Sequence, residues 1–424
     1  MRRLRASTLR LASAMALAAV FLSSGRAAAN VTFFDDNGWS IYTTGLIAAH
    51  YQLTTGDGDP SSLNPQGGVL LGGKFLTSQV QTSGSGAPTV TLSRLRSGFV
   101  GTQIGFGVNR RISDQVHVES LMAVNLEDIS SDRGQSPSKG VDFREAWASL
   151  VTPYGSLKFG RMFSIFGSAS AEVVLIAYRF GVGNPCTLSS SVIGCGSVGA
   201  GPLYAGFDAQ MRYISPRIGG FQLQVAVVDP TRSQTNYLLT PVPRIDAELS
   251  YDHTFGATRL RLIGQGMSDQ PEKQDATMQK LNVWGVMGAG IVDVAGLTVA
   301  GGGWTGAGIG THVPLETEDP TYPIAFDGTG ETRLFRGFFG NVAYDYQGTA
   351  LAVGGGALFV RPTADDKITS AYSILAQNQE FHAVLSHKMD TIVFTAEYMR
   401  WTSKWHYGEL QNMNFGGVGV NYFW

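Results

Sequence analysis

Along most of this chain the side chains change character at every second residue, in segments of about ten residues. In "QVHVESLMAVNLE" (115–127), Val116, Val118, Met122, Val124 and Leu126 share one face, while His117, Glu119, Asn125 and Glu127 share the other. "FQLQVAVV" sets Phe221, Leu223, Val225 and Val227 against Gln222 and Gln224, and "RIDAELSY" sets Ile245, Ala247, Leu249 and Tyr251 against Arg244, Asp246, Glu248 and Ser250. A period of two places successive side chains on opposite faces of a strand, so these strands separate two environments. No stretch after residue 29 offers 18 uninterrupted apolar residues, which excludes spanning helices. With 54 glycines and only 15% charged residues, two classes remain. One is a large soluble β protein. The other is a membrane barrel whose lipid-facing apolar residues alternate with polar lumen residues.

The connections favour the barrel. Short ones fall at 109–114, 215–220, 252–257, 292–296, 345–348 and 388–390. Long Gly/Pro/Asp/Ser-rich ones lie near 53–93, 128–140, 162–206, 229–242, 267–279, 306–332, 360–378 and 402–411. Short turns at one end and long loops at the other suit an outer-membrane barrel, whereas a sandwich need not sort its turns by length. Sixteen strands are predicted, at roughly 40–52, 94–108, 115–127, 141–152, 155–161, 207–214, 221–228, 244–252, 257–266, 280–291, 297–305, 333–344, 349–359, 379–387, 391–401 and 412–424.

The two ends read consistently with export. Arg2, Arg3, Arg5 and Arg10 precede an apolar run through Met15 to Leu22, and Ala27 to Ala29 supply small residues for cleavage before Asn30. Residues 1–29 therefore read as a signal peptide and 30–424 as the mature domain. Losing five arginines takes the formal net charge from −2 to about −7, which argues against a nucleic-acid partner. At the other end, Asn412 to Trp424 contains no charged residue. In a membrane barrel the last strand must pair with the first, because unpaired backbone groups are costly in hydrocarbon. Tyr422 and Trp424 share the face of Val418 and Val420 and suit an aromatic girdle at the lipid–water boundary.

Three stretches resemble Gram-negative trimeric general porins. "SRLRSGFVG" (93–101) resembles the family's second strand, and "FREAWASLVTPYGSLKFGR" (143–161) resembles the strand, turn and Gly-Arg that open the third loop. "FDAQMRYISPRIGGFQLQVAV" (207–227) resembles the segment after that loop. The terminal "NYFW" resembles the family's C-terminal assembly signal, with Trp where Phe is usual, and Tyr422, Phe423 and Trp424 are together expected to serve as that signal and girdle. The resemblance implies an all-β fold: a sixteen-stranded antiparallel transmembrane barrel with short periplasmic turns, long extracellular loops and a third loop (about 162–206) folded into the pore. It further implies a homotrimer in the bacterial outer membrane, lipids and lipopolysaccharide as surroundings, the outer-membrane assembly machinery as a transient partner, small hydrophilic solutes and ions in transit, and no cofactor.

In the family, basic wall residues face acids on the third loop. Carried over, this gives Arg94 and Arg144. Parity adds Arg96 and Lys158: Arg94 and Arg96 alternate with Leu95 and Phe99, Arg144 with Phe143 and Trp147, and Lys158 with Leu157 and Phe159. Arg161 takes the other parity at a strand end, as a loop or subunit-contact residue, and Glu145 takes the outward parity in an apolar pattern. Thr44 and Phe207 stand where the family often places further wall cations. The third loop carries one acid, Glu172, and one base, Arg179, so the family's acidic cluster is missing and Glu172 is the expected counter-charge. Its Phe166 and its run Val173 to Ile176 would narrow the passage. Cys186 and Cys195, within the loop, are expected to form a local disulfide in an exported protein.

Other chemistry is sparse. "GGGWTG" (301–306) lacks the following helix that a nucleotide fingerprint needs. Neither G-x-S-x-G nor H-E-x-x-H occurs, and Glu316, Glu318 and Asp319 read as a solvated loop. The expectation is a diffusion porin without catalytic activity. The competing readings are a substrate-selective channel with a lumen site and, from another class, a lipase-like barrel enzyme or a surface adhesin.

Overall fold

A computed structural model describes residues 30–57, 89–126, 141–181, 196–230, 241–273, 279–309, 324–369, 374–406, 408 and 410–424. In chain order the strands are β1 (Val31–Asp36), β2 (Trp39–Asp57), β3 (Thr89–Arg96), β4 (Thr102–Arg111), β5 (His117–Leu126), β6 (Val141–Thr152), β7 (Gly155–Phe163), β8 (Phe207–Ile214), β9 (Phe221–Val228) and β10 (Arg244–Phe255). They continue with β11 (Thr258–Asp269), β12 (Val283–Val294), β13 (Leu297–Ala307), β14 (Leu334–Tyr346), β15 (Thr349–Arg361), β16 (Leu375–Met389), β17 (Ile392–Trp405) and β18 (Leu410–Phe423).

Consecutive strands pair antiparallel, except β3 with β4, and β18 pairs with β2 from Met413↔Gly56 to Phe423↔Leu46. That last ladder closes the sheet, so no edge is left in the wall. Eighteen strands make sixteen staves. β3 and β4 both pair with β2 and form one stave, interrupted at residues 97–101, while β1 pairs with the first residues of β2 beyond the reach of β18. The sixteen-stranded expectation holds. Strands such as β2 and β16 run several residues further toward the long loops than expected. Beyond Leu53 the outward positions there are polar, Thr55 and Asp57 on β2 and Gln377 on β16, so the apolar alternation had already faded.

One rim is made of tight turns. Asn37-Gly38, Ala295-Gly296 and Gln347-Gly348 place both residues at positive φ, from 47° to 85°. This is the two-residue type I′ geometry whose twist matches paired strands. The outward face is apolar, as the alternation required: Phe221, Leu223, Val225 and Val227 are all exposed, and between them Ala226 and Val228 are buried. The largest buried cluster lies inside the tube. There Phe166 and Val173 pack against Met267, Met287, Trp304 and Phe339 of the wall.

Two orientations differ from the sequence reading. The β5–β6 ladder passes from Ala123↔Glu145 to Val124↔Phe143, leaving Arg144 as an extra residue in a β-bulge. The bulge reverses parity at that point. Arg144 and Glu145 both turn inward, and Trp147, expected outside with Phe143, is only 6% exposed on the inner face beside Leu121 and Met162.

Candidate functional site

The connection from β7 to β8 folds into the tube. Its ends are clasped by the Ser164 amide bonding the Gly206 carbonyl (3.1 Å). Gly167, at φ 93°, turns the chain into helix α1 (Ser168–Val174), and a 3-10 turn follows at Ile176–Tyr178. The helix packs against β12, β13 and β14, and the turn against β14, β15 and β16. Buried backbone must find partners, and here the wall supplies them. Asp246 accepts from the Phe166 amide (3.2 Å), Gln265 from the Gly167 amide (3.0 Å) and Glu397 from the Gly181 amide (2.8 Å). Asn341 donates to the Val173 carbonyl (2.7 Å) and Asn378 to the Gly199 carbonyl (2.9 Å). The Phe180 carbonyl receives the Phe99 amide, inside the break between β3 and β4.

A fully buried charge cluster fastens the same loop. Arg179 donates to Ser197 and lies 3.7 Å from Glu380 of β16. Glu380 also accepts from Ser197 (2.5 Å) and meets His382 Nδ1 at 2.9 Å, and His382 Nε2 meets Asn341 Oδ1. Phe423 of the closing strand points inward, its ring 6.1 Å from Tyr178 and 5.9 Å from Phe180.

Nearly across the barrel, β7 and β8 place Lys158 and Arg212 directly opposite each other in register. The Lys158 ammonium sits 3.4 Å from the centre of the Trp147 ring, a cation–π contact that the bulge makes possible. Arg212 donates to Gln210 (2.9 Å) and to the Phe163 carbonyl at the loop's root. Glu145 accepts from the Phe163 amide and lies among Lys158, Arg212 and Arg144. Arg144 pairs with Asp142 (2.9 Å) and lies over the Phe207 ring, while Arg161 reaches Asp142 at 3.7 Å from an exposed position. Arg244 is buried between Asp208 (2.8 Å) and Asp246 (3.0 Å). The wall is therefore a mosaic of paired cations and acids.

The predicted residues separate into groups. Arg144 and Lys158 project into the lumen. Glu172, expected to oppose them, is instead buried against Arg261 of β11 at 2.6 Å, because α1 lies on the far wall. Arg94 and Arg96 occupy β3 positions paired with Gln52 and His50, and their side chains lie outside the described residues, as do residues 1–29, Cys186 and Cys195 and the run Glu316 to Asp319. Tyr422 faces outward and stacks near Trp424, whose ring covers the space a side chain at Gly45 would fill. The sequence reading passed over Arg212, Asp208 and Arg261. Met211 and Tyr213 alternate with Arg212, so parity alone could have found it.

Burial of Glu172 at the loop–wall interface raises its carboxyl from 4.5 to about 7, although Arg261 pulls it down. The docked loop thus favours the neutral carboxyl, and docking weakens as the pH climbs from the ordinary carboxylate range through 7. Acidification through 7 also leaves Arg261 less compensated. Reversal potentials at about pH 5.5 should therefore show more anion preference than at about pH 8.5, and Glu172→Gln should remove most of that difference. An unchanged pH response in Glu172→Gln would refute the assignment.

The Gram-negative porin family profile matches residues 12–422. No curated protein sequence matches the chain. Among solved structures, the outer membrane channel DcaP of Acinetobacter baumannii is 15% identical, with a TM-score of 0.65, over 93% of this chain and 100% of its own. The anion-selective porin from Comamonas acidovorans is 10% identical, with a TM-score of 0.60, over 91% and 100%. The trimer form of OmpT of Vibrio cholerae is 13% identical, with a TM-score of 0.50, over 92% and 100%. With the profile spanning nearly the whole sequence and sixteen closed staves around an inward third loop, this chain belongs to the Gram-negative porin family, outer-membrane channels through which solutes diffuse passively.

Proposed function

We propose that the narrowest part of the passage lies between the third loop and the wall carrying Arg94, Arg96, Arg144 and Lys158, with Arg212 added and Glu172 on the loop's wall-facing flank. The observation that carries this is the Lys158–Arg212 pair, set in register on staves that α1 does not cover. Fixed charge in a narrow low-dielectric passage raises the local concentration of opposite ions. Here Glu119, Glu145 and Asp142 offset the cations, so the pore is weakly anion-selective or near neutral, not strongly cation-selective. Acids on the outer loops add little, since they are screened beyond about 8–10 Å at physiological salt.

Assembly as a homotrimer after removal of residues 1–29 follows from the family resemblance and completes this reading. Catalysis is not part of it. Ser197 donates to Glu380 rather than to His382, and the cluster is buried, so the arrangement offers no base-activated nucleophile.

Reversal potentials in a salt gradient test the constriction. Lys158→Glu with Arg212→Glu should turn the channel clearly cation-selective while heat-modifiable mobility in detergent stays normal. An unchanged reversal potential in a folded double variant would place the constriction elsewhere.

A further inference from the structure

The ring that faces Lys158 sits where alternation alone would not have placed it. The bulge at Arg144 turns Trp147 into the lumen. Trp147 then pairs in register with Gly160, while Ser149, two residues further along β6, pairs with Lys158. Gly160 has no side chain to separate the indole from Lys158, two residues back along β7. The ammonium rests 3.4 Å from the ring centre. Among the described residues no carboxylate forms an ion pair with it. Glu145 and Glu119 attract it only from further off, and Arg212, beside it on β8, repels it.

Trp147 gains little else from this position. It is buried against Leu121 and Met162, and its indole N–H has no hydrogen-bond partner among the described residues. A buried donor without a partner costs stability. A phenylalanine would make the same apolar contacts without that cost. What tryptophan adds is the firmer hold of its face on a cation.

The hold matters because of what Lys158 would do without it. Lysine carries a compact, strongly hydrated charge on a flexible four-carbon stem. Arg212 is already fixed, since it donates to Gln210, Gln224 and the Phe163 carbonyl. Released from the ring and pushed by Arg212, the Lys158 ammonium would extend into the passage, narrowing it and carrying charge toward its axis.

We propose that Trp147 is a positioning residue of the constriction: its ring pins the Lys158 ammonium to the wall, so the passage keeps both a fixed positive charge and a clear bore. The proposal rests on the constriction lying between the third loop and this wall, and it names the residue that sets the position of the charge there.

The test is a double-variant cycle on the full assembled channel in planar bilayers, reading conductance, open-channel noise and reversal potential in a potassium chloride gradient. Trp147→Leu should lower conductance, raise noise and raise the chloride-to-potassium permeability ratio about twofold or more, because the freed charge lies nearer the ions. Trp147→Phe keeps a weaker cation-binding face and should fall between the parent and Trp147→Leu. In a Lys158→Met background, Trp147→Leu should leave noise and reversal potential where Lys158→Met alone puts them. A ring that only fills space would shift both backgrounds alike, and that result overturns the proposal. So does a Trp147→Leu channel that behaves as the parent. A lower permeability ratio in Trp147→Leu also overturns it, since the ammonium would then have moved to Glu145 or Glu119 instead of the passage. Lys158→Met alone separates the two levels: an unchanged reversal potential in that folded variant places the constriction elsewhere, and the role of Trp147 falls with it. If Trp147→Leu fails to show heat-modifiable mobility in detergent, Trp147→Phe carries the same cycle at smaller amplitude.

Discussion

Deletion of Tyr422, Phe423 and Trp424 is expected to abolish assembly of the barrel. Tyr422 pairs with Ile392 on one side and Ile47 on the other, Phe423 pairs with Leu46, and Trp424 exchanges two backbone bonds with Gly45 (2.9 and 3.2 Å). Truncation leaves the ends of β2 and β17 with unpaired amides and carbonyls at the membrane boundary, and each such group in hydrocarbon costs about several kcal/mol. The same deletion removes the Phe423 ring from beneath Tyr178 and Phe180. Little or no heat-modifiable protein should reach the outer membrane. Trp424→Phe, which keeps an aromatic ring and the backbone pairs, should assemble. Accumulation of the truncated chain at parental levels would show that the seam does not depend on these residues.

How much of this could be read beforehand depends on which interactions decide each feature. Strand faces are decided locally, which is why Phe221, Leu223 and Val225 were placed correctly from alternation alone. Phe423, grouped with Tyr422 and Trp424 in the terminal signal and girdle, instead packs inward on Tyr178 and Phe180, although its alternation with those two neighbours pointed that way. Glu145 did not follow, because its direction is set by a bulge against Ala123, and nothing within β6 announces the extra residue. Glu172 was legible as the loop's only acid, but its partner was not. Arg261 lies 89 residues away and is selected by where the loop lies on the wall. The seating of the loop was illegible for the same reason. Asn341, Asn378 and Glu380 each look like an ordinary polar lumen residue until the loop's backbone arrives.

The second large effect is expected at that seat. Arg179→Ala leaves Glu380 buried without its guanidinium partner, and breaking a buried pair from one side costs about 3–5 kcal/mol. The barrel does not depend on this contact, since its strands pair all the way round. The loss should therefore fall on the loop. Single-channel recordings should show a larger, noisier conductance with weaker selectivity, while the heat-modifiable form survives. The companion Glu380→Gln keeps a hydrogen-bonding group toward Ser197 and leaves Glu397 as a nearby acid for the Arg179 guanidinium, so its recordings should be milder. Conductance and noise equal to the parent in Arg179→Ala would mean that the loop is held by its backbone contacts alone.

The interruption between β3 and β4 bears on any attempt to refashion this pore. A constriction loop is commonly pictured as furniture that could be taken out of a finished room. Here one of its carbonyls, that of Phe180, stands in for a missing rung of the second stave by receiving the Phe99 amide. Gly98, at φ 83°, bends the stave aside to admit it, and a side chain there would collide with that carbonyl. The loop is in this sense masonry. A designer who wants a wider bore would do better to shorten the segment between α1 and Arg179 than to excise the loop, because excision opens a hole in the wall as well as in the passage.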